Sequence, residues 1–165
     1  MASFSRLKDI LRLNNTCLEY IVSRCSRIKA KIIQQDEHET KGIRTVLNFG
    51  HTIGHAIEAA GGYKNYNHGE AVALGMLAAC SIGNMLGLSS AFAKQRIENL
   101  IKSAGLPVKI KNVALGEIIK AHYRDKKFSG SKNRFVLLKN IGKAKVVTDV
   151  PLEVIKKAIS ERSQY

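Results

Sequence analysis

Three of the chain's five histidines fall in one short stretch, LNFGHTIGHAIEAAGGYKNYNHGEA, which covers residues 47–71. His51 and His55 are four residues apart, so on a helix they share one face and can reach a common metal ion. His68 follows across a segment rich in glycine and asparagine. A catalytic zinc site commonly has three protein ligands and one open position. The pattern therefore predicts a metal site, and spacing alone leaves open which histidines hold the ion.

Two neighbouring residues refine this prediction. The residue after His51 is Thr52, so the H-E-x-x-H signature of zinc proteases is absent. Glu58 lies three residues after His55 and could add a carboxylate on the same helix face. A solvent-exposed helix glutamate is the simpler interpretation of Glu58.

The elements that must position these residues are mostly helices. Apolar residues at steps of three and four predict an amphipathic helix over the first 35 residues, broken near residue 14, with Asn15 or Thr16 capping its second half. Residues 135–138 and 144–148 are rich in β-forming side chains and predict a hairpin. Further helices are predicted at about residues 45–60, 70–86, 90–104, 115–123 and 151–159. We therefore expect a mainly α protein, a single domain over residues 1–165 with one small β-hairpin near 135–148.

The charge is uneven along the chain. The net charge is +14, with excesses of +4 over residues 1–44, −1 over 45–90 and +11 over 91–165. A nearly neutral histidine segment between basic flanks suits a small anionic ligand or nucleic acid. Scattered bases, few aromatic residues and no recognition motif argue against a nucleic-acid-binding module. No G-x-G-x-x-G or phosphate-binding loop occurs, so a nucleotide-binding half is not predicted in this chain.

The cysteines and the apolar stretches bear on location. Cys17, Cys25 and Cys80 form no C-x-x-C pair and leave one over under any pairing, which favours reduced thiols and a cytoplasmic protein. No signal peptide is predicted at the start, and the longest apolar stretch is too short to cross a bilayer. We therefore expect no membrane partner.

The stretch RTVLNFGHTIGHAIEAAGGYKNYNHGEAVALGM, residues 44–76, resembles the C-terminal domain of 3-dehydroquinate synthases. The resemblance extends upstream through IKAKIIQQDEHETKGIR and downstream to RDKKFSGSKNRFVLLKNIGKAKV, and so covers about residues 29–147. It implies the helical C-terminal fold of the dehydroquinate synthase and metal-dependent alcohol dehydrogenase superfamily. It also implies a carbon–oxygen lyase of the shikimate pathway, which closes a seven-carbon phosphorylated keto-acid into 3-dehydroquinate and releases phosphate. That reaction uses zinc or cobalt and bound NAD.

The resemblance assigns roles residue by residue. His51 and His68 match the two histidine ligands of the metal, whereas His55 matches an active-site histidine that assists proton transfer. Glu39 matches an active-site acid, although the Glu39–Arg44 interval is one residue longer than the family spacing. The residues that match substrate-binding groups are Lys29, Arg44, Asn48 and one of Lys126 and Lys127, of which Lys126 is favoured.

The resemblance also implies that part of the enzyme is missing. The NAD-binding domain and a glutamate that is the third metal ligand precede this region in the family. We therefore expect a fragment or separately encoded module that is inactive alone, and a homodimer for the full-length enzyme. A related cyclase, of the deoxy-inosose or valiolone synthase type, is the main alternative. Arg44 and the Asp125–Lys127 stretch favour the carboxylate-bearing substrate of 3-dehydroquinate synthase.

Overall fold

A computed structural model describes residues 6–38, 40–124 and 132–164. The chain divides into two compact units, Met1–Leu47 and Asn48–Tyr165. The single domain expected over the whole chain stays a prediction.

The first unit contains helices α1 (Leu7–Leu11) and α2 (Asn15–Gln35). Asn14 caps α2, because its backbone is extended and its side chain accepts a hydrogen bond from the Cys17 amide at 3.1 Å. The predicted cap, Asn15 or Thr16, was therefore wrong by one or two positions. Asp36, which ends α2, is the only buried residue among the described residues of this unit.

Asp36 organises the turn that follows α2. Its carboxylate accepts hydrogen bonds from the backbone amides of Lys41, at 2.9 Å, and Arg44, at 3.1 Å. The hydrogen bond from Lys41, with further ones from Arg44 and neighbouring amides, holds the pKa of Asp36 below its ordinary value despite the opposing effect of burial. Asp36 thereby fixes the backbone that presents Arg44.

This arrangement predicts a pH-dependent turn. Because the folded pKa is lowered, the carboxylate stabilises the turn above the ordinary pKa, and this stabilisation is lost as pH falls through the lowered value. In an NMR titration, the amide protons of Lys41 and Arg44 should shift together with a midpoint below 3.8. Asp36→Asn should abolish that common transition. A midpoint at or above the ordinary value would contradict the assignment.

The second unit carries the remaining helices and the hairpin. A 3₁₀ turn, Arg44–Asn48, leads into it across the unit boundary. Its elements are α3 (His51–Ala60), α4 (His68–Met85), α5 (Ala91–Ser103), α6 (Leu115–Arg124), β1 (Arg134–Asn140), β2 (Lys143–Thr148) and α7 (Leu152–Ser160). The mainly α fold with one small hairpin is confirmed.

Helix α4 is the centre of the second unit. Twelve of its eighteen residues are buried, as expected for a helix that is apolar all round. It packs against α3, α5, α7 and β1. Leu74 and Ile82 of α4 join Ile57 of α3 and Ile155 of α7 in the largest core cluster. The core therefore surrounds α4, and the other elements are placed relative to it.

Helices α3 and α4 approach each other through glycine. A Cβ atom added to Gly75 would lie 2.0 Å from the Gly50 carbonyl oxygen and 2.7 Å from the Gly54 nitrogen. One added to Gly54 would lie 3.0 Å from the Val72 Cα. Gly50 also has φ +83°, a conformation in which side chains other than glycine are strained. The two helices are thus in backbone contact just where α3 begins.

Gly50 also explains an incorrect helix prediction. A continuous helix over about residues 45–60 was expected, but the chain forms the 3₁₀ turn, interrupts it at Gly50 and starts α3 at His51. The left-handed backbone at Gly50 cannot continue a right-handed helix. Helix α4 begins at His68, two residues before the predicted start, because Asn67 caps it.

The hairpin and the C-terminal helix close the second unit. Strands β1 and β2 pair antiparallel, with Phe135 opposite Val147. Burial raises the pKa of Glu161, but hydrogen bonds from Lys94 and from the Ser81 hydroxyl outweigh burial and hold that pKa below its usual range. These contacts tie the end of α7 to α4 and α5.

All three cysteines are free thiols, and burial raises the pKa of Cys80 to about 11. Within residues 6–38, 40–124 and 132–164, no helix has both the length and the apolar content needed to cross a bilayer.

Candidate metal centre and adjoining cavity

Helix α3 places three polar side chains along one side. His51 is its first residue, His55 lies one turn later, and Glu58 lies three residues beyond His55. The spacing of four and three residues brings these side chains onto neighbouring positions of the helix surface. On the opposite side, Ile53 and Ile57 are fully buried against the core and fix the rotation of α3.

The N-terminus of α4 supplies the third histidine. The Asn67 side chain accepts the Glu70 amide, and the Glu70 carboxylate accepts the Asn67 amide, both at 3.0 Å. This capping box makes His68 the first residue of α4. The preceding loop is anchored by Tyr66, whose hydroxyl bonds the backbone of Lys111 at 2.6 and 3.1 Å.

The three imidazole rings form one cluster. Ring centroids lie 5.5 Å apart for His51 and His55, 5.4 Å for His51 and His68, and 5.8 Å for His55 and His68. Two imidazoles bound to one tetrahedral ion through nitrogens about 2.0–2.1 Å from it have ring centres about 5 Å apart. The cluster therefore has nearly the spacing that a shared ion requires.

Two of the rings are held through Nδ1. His51 Nδ1 lies 3.3 Å from the Phe49 carbonyl oxygen. His68 Nδ1 lies 3.1 and 3.3 Å from the two carboxylate oxygens of Glu58. The His68 side chain is 59% exposed, whereas Glu58 is only 12% exposed. The solvent-exposed interpretation of Glu58 was therefore wrong.

The donor set fits a borderline divalent cation. One ligand atom each from His55, Glu58 and His68 lies within 4.8 Å of the other two. His51 is outside that group but contacts both other rings. Imidazole nitrogen with carboxylate oxygen suits zinc and cobalt. The structure thus brings the rings of the predicted ligands His51 and His68 together, whereas the group with ligand atoms within 4.8 Å is His55, Glu58 and His68.

A cavity of about 380 Å³ opens beside His55, between α3 and α6. Its floor on the α3 side is apolar, formed by Ala56 and Ala59. Lys120 and Arg124 of α6 line the opposite side, together with Glu117, whose carboxylate lies 3.8 Å from Lys120 Nζ. A cavity of this size accepts a small molecule.

Of the other predicted site residues, the structure describes Asn48, Lys29 and Arg44. Asn48 begins the second unit and is half-buried. Lys29 is an exposed residue of α2 in the first unit, and Arg44 is half-buried at the end of that unit. Glu39, Lys126 and Lys127 lie outside the residues that the structure describes.

Sequence reasoning missed three residues, one in the first unit and two in the second. Asp36 accepts a hydrogen bond from the Arg44 amide, eight residues along the chain. The Asp36-Glu37 sequence does not predict this contact. Lys120 and Arg124 reach the cavity because α6 packs against α3, a contact that local pattern does not encode. Their four-residue spacing within an amphipathic helix is the one signal that could have been used.

The fold and the histidine cluster define a helical domain that carries a candidate metal site. A sequence model of the family described as "3-dehydroquinate synthase C-terminal" matches residues 2–128. The chain belongs to this family.

Curated relatives agree with this assignment. The 3-dehydroquinate synthase of Thermoanaerobacter pseudethanolicus is 43% identical over 92% of this chain and 42% of its own length. That of Nitrosospira multiformis is 40% identical over 95% of this chain and 43% of its own length. The chain therefore spans less than half the length of the curated relatives it matches.

Solved structures share the fold. A 2-deoxy-scyllo-inosose synthase, complexed with carbaglucose-6-phosphate, NAD⁺ and Co²⁺, superposes with a TM-score of 0.74 and 28% identity, covering 88% of this chain and 42% of its own. ValA, a 2-epi-5-epi-valiolone synthase from Streptomyces hygroscopicus, has a TM-score of 0.75 at 22% identity, and the match covers 92% of this chain and 42% of ValA. The likeness to ValA shows the fold alone.

Proposed function

We propose that this chain is the metal- and substrate-binding part of a 3-dehydroquinate synthase. The observation that carries the proposal is the cluster of three imidazoles beside a cavity whose lining includes His55 and the cations Lys120 and Arg124, together with Glu117. The family match supports the same function. The reaction would convert a seven-carbon phosphorylated keto-acid to 3-dehydroquinate with release of phosphate, as a carbon–oxygen lyase.

In this proposal His51 and His68 hold the divalent metal, zinc or cobalt. When bound, such an ion supplies Lewis-acid polarisation of substrate oxygens. His55 contacts both other rings and also lines the cavity, so it can face a substrate there. The ordinary pKa of an imidazole, about 6.5, suits proton transfer during elimination of phosphate.

The anionic groups of the substrate need cationic and amide donors. Lys29, Arg44 and Asn48 are proposed to bind the substrate, together with Lys126 or Lys127, and Glu39 is proposed as an active-site acid. Lys120 and Arg124 would add positive charge on the cavity wall. The net excess of bases in residues 91–165 supports an anionic small molecule as the partner.

The proposal assigns NAD to the part of the enzyme that precedes this region in the longer relatives. The 165 residues contain no G-x-G-x-x-G sequence, the fingerprint of many dinucleotide-binding domains. The proposal also includes a place in the shikimate pathway towards chorismate and the aromatic amino acids. A cytoplasmic location and a homodimeric full-length enzyme complete it.

A chimaeric enzyme tests the proposal. This chain would replace the matching C-terminal part of the Thermoanaerobacter relative, and phosphate release from the keto-acid would be measured. We expect turnover, and a loss of about 10²–10⁴-fold in the His55→Ala variant because a proton-transfer group is removed. Glu153→Ala, at an exposed position of α7, should leave the rate unchanged. A folded chimaera that binds substrate without releasing phosphate would refute the proposal.

A second candidate is another sugar-phosphate cyclase, because the 2-deoxy-scyllo-inosose synthase structure shares the fold at 28% identity. The two candidates differ in the carboxylate of the substrate. Binding of a carboxylated analogue and of its decarboxy counterpart to the chimaera separates them. We expect preference for the carboxylated compound, and equal binding would favour the second candidate.

A further inference from the structure

We propose that Glu58 is a positioning residue that fixes the tautomer of His68. In this arrangement His68 carries its proton on Nδ1 and presents the Nε2 lone pair to a divalent cation. The inference rests on the proposed function only in taking His68 as a metal ligand. The hydrogen bond itself is independent of that function.

The contact between the two side chains defines the proton position. Both oxygens of Glu58 face His68 Nδ1, at 3.1 and 3.3 Å. An ionised carboxylate accepts hydrogen bonds and donates none, so the nitrogen facing it must carry the hydrogen. In a neutral imidazole the other nitrogen, Nε2, then holds the lone pair. Glu58 thus prepares His68 for coordination through Nε2.

The same logic applies to the neighbouring ring. His51 Nδ1 lies 3.3 Å from the Phe49 carbonyl oxygen, which can only accept a hydrogen bond. His51 is therefore also protonated on Nδ1 when neutral, and its Nε2 is available. The rings of His51 and His68, whose centroids lie 5.4 Å apart, are therefore both held in the Nδ1-protonated tautomer, one by a backbone carbonyl and the other by a carboxylate.

Glu58 is suited to this role by its place in the fold. It lies on α3 and reaches across to the first residue of α4, so it links the two helices that carry the histidines. It is largely covered, whereas His68 in front of it is 59% exposed. The nearby Glu70 carboxylate instead accepts a hydrogen bond from the Asn67 amide in the helix cap.

A direct ligand role for Glu58 is the competing arrangement, since its oxygen lies within 4.8 Å of donor atoms from His55 and His68. The two roles differ in whether Glu58 coordinates the metal directly. A residue behind a histidine ligand tunes affinity without entering the coordination sphere, and its loss typically costs about 10–100-fold in metal affinity. Loss of a ligand also changes the coordination geometry.

Nitrogen NMR of the metal-free 165-residue chain tests the tautomer. Long-range ¹H–¹⁵N spectra near pH 8, above the ordinary imidazole pKa of about 6.5, should show His68 protonated on Nδ1. In Glu58→Ala, the ring should shift towards the Nε2-protonated form. Glu153→Ala, at an exposed glutamate of α7, should change nothing. A wild-type His68 protonated on Nε2, or one unaffected by Glu58→Ala, would overturn the proposal.

Cobalt binding tests the role. We expect Glu58→Gln, which keeps the side-chain shape, to weaken Co²⁺ binding by about 10–100-fold while leaving the visible spectrum of the bound ion unchanged. Glu153→Gln serves as the matched control. An altered spectrum, with a loss as large as that of His68→Ala, would make Glu58 a ligand and overturn the positioning role. If neither the wild-type chain nor the chimaera bound Co²⁺, the proposed metal site would fail while the NMR result would still decide the tautomer.

Discussion

Gly75→Ala should destabilise the second unit by at least about 3 kcal/mol, at or beyond the upper end of the usual cost of overpacking a core. The added methyl carbon would lie 2.0 Å from the Gly50 carbonyl oxygen and 2.7 Å from the Gly54 nitrogen. Both obstacles are backbone atoms, so no side-chain rotation can relieve the clash. Helices α3 and α4 must separate, and the histidine cluster must open with them.

Chemical denaturation followed by circular dichroism measures this effect. Gly116→Ala is the matched control, because Gly116 also lies in a helix and a Cβ atom there meets nothing within 4 Å. It should be neutral or stabilising by up to about 1 kcal/mol, since alanine is the better helix former. If Gly75→Ala were as stable as Gly116→Ala, the close backbone contact would be incorrect.

Removing His68 should have the largest effect on metal binding. His68→Ala should weaken Zn²⁺ or Co²⁺ binding by more than the roughly 10–100-fold typical of residues behind the ligands. His51→Ala should behave similarly. His55→Ala should retain the metal, because the proposal gives His55 to the substrate. Calorimetric titration of the 165-residue chain measures all three.

The pattern among these variants assigns the ligands. His38→Ala, at a histidine of the first unit that is not among the predicted ligands, should bind metal as the wild type does. Loss of binding in His55→Ala together with retention in His51→Ala would instead assign the ion to the group of His55, Glu58 and His68. The isolated chain should bind weakly in either case, because the resemblance predicts a third ligand outside this region.

Much of the fold could be predicted from the sequence because its signals are local. Ser90 before α5 caps that helix through the Ala93 amide, and Gly87 follows α4 with φ +68°. The β-rich runs after residue 134 pair as predicted. The three histidines were identified because types and spacing were sufficient, and the cluster confirms only that they lie together. Their separate roles stay predictions.

The rest depended on contacts between distant residues. The break before α3 follows from the approach of Gly50 to α4, where an added Cβ would meet Met76 and the Val72 carbonyl oxygen. Glu58 was interpreted as exposed because its partner, His68, is ten residues away and on another helix. A helical wheel shows the face on which a side chain lies but not the neighbour that covers that face.

The loop between α3 and α4 is anchored where α4 begins, which limits how changes in the loop can affect the histidines. Tyr66 is held by the Lys111 backbone, and the Asn67 cap then restarts the helix. At Gly62 an added Cβ would meet nothing within 4 Å, although its φ of +62° favours glycine. Tyr63 is 73% exposed. Insertions after Tyr63 should therefore leave the register of the histidines unchanged, but they would alter the cavity wall, because Tyr63 lines the cavity.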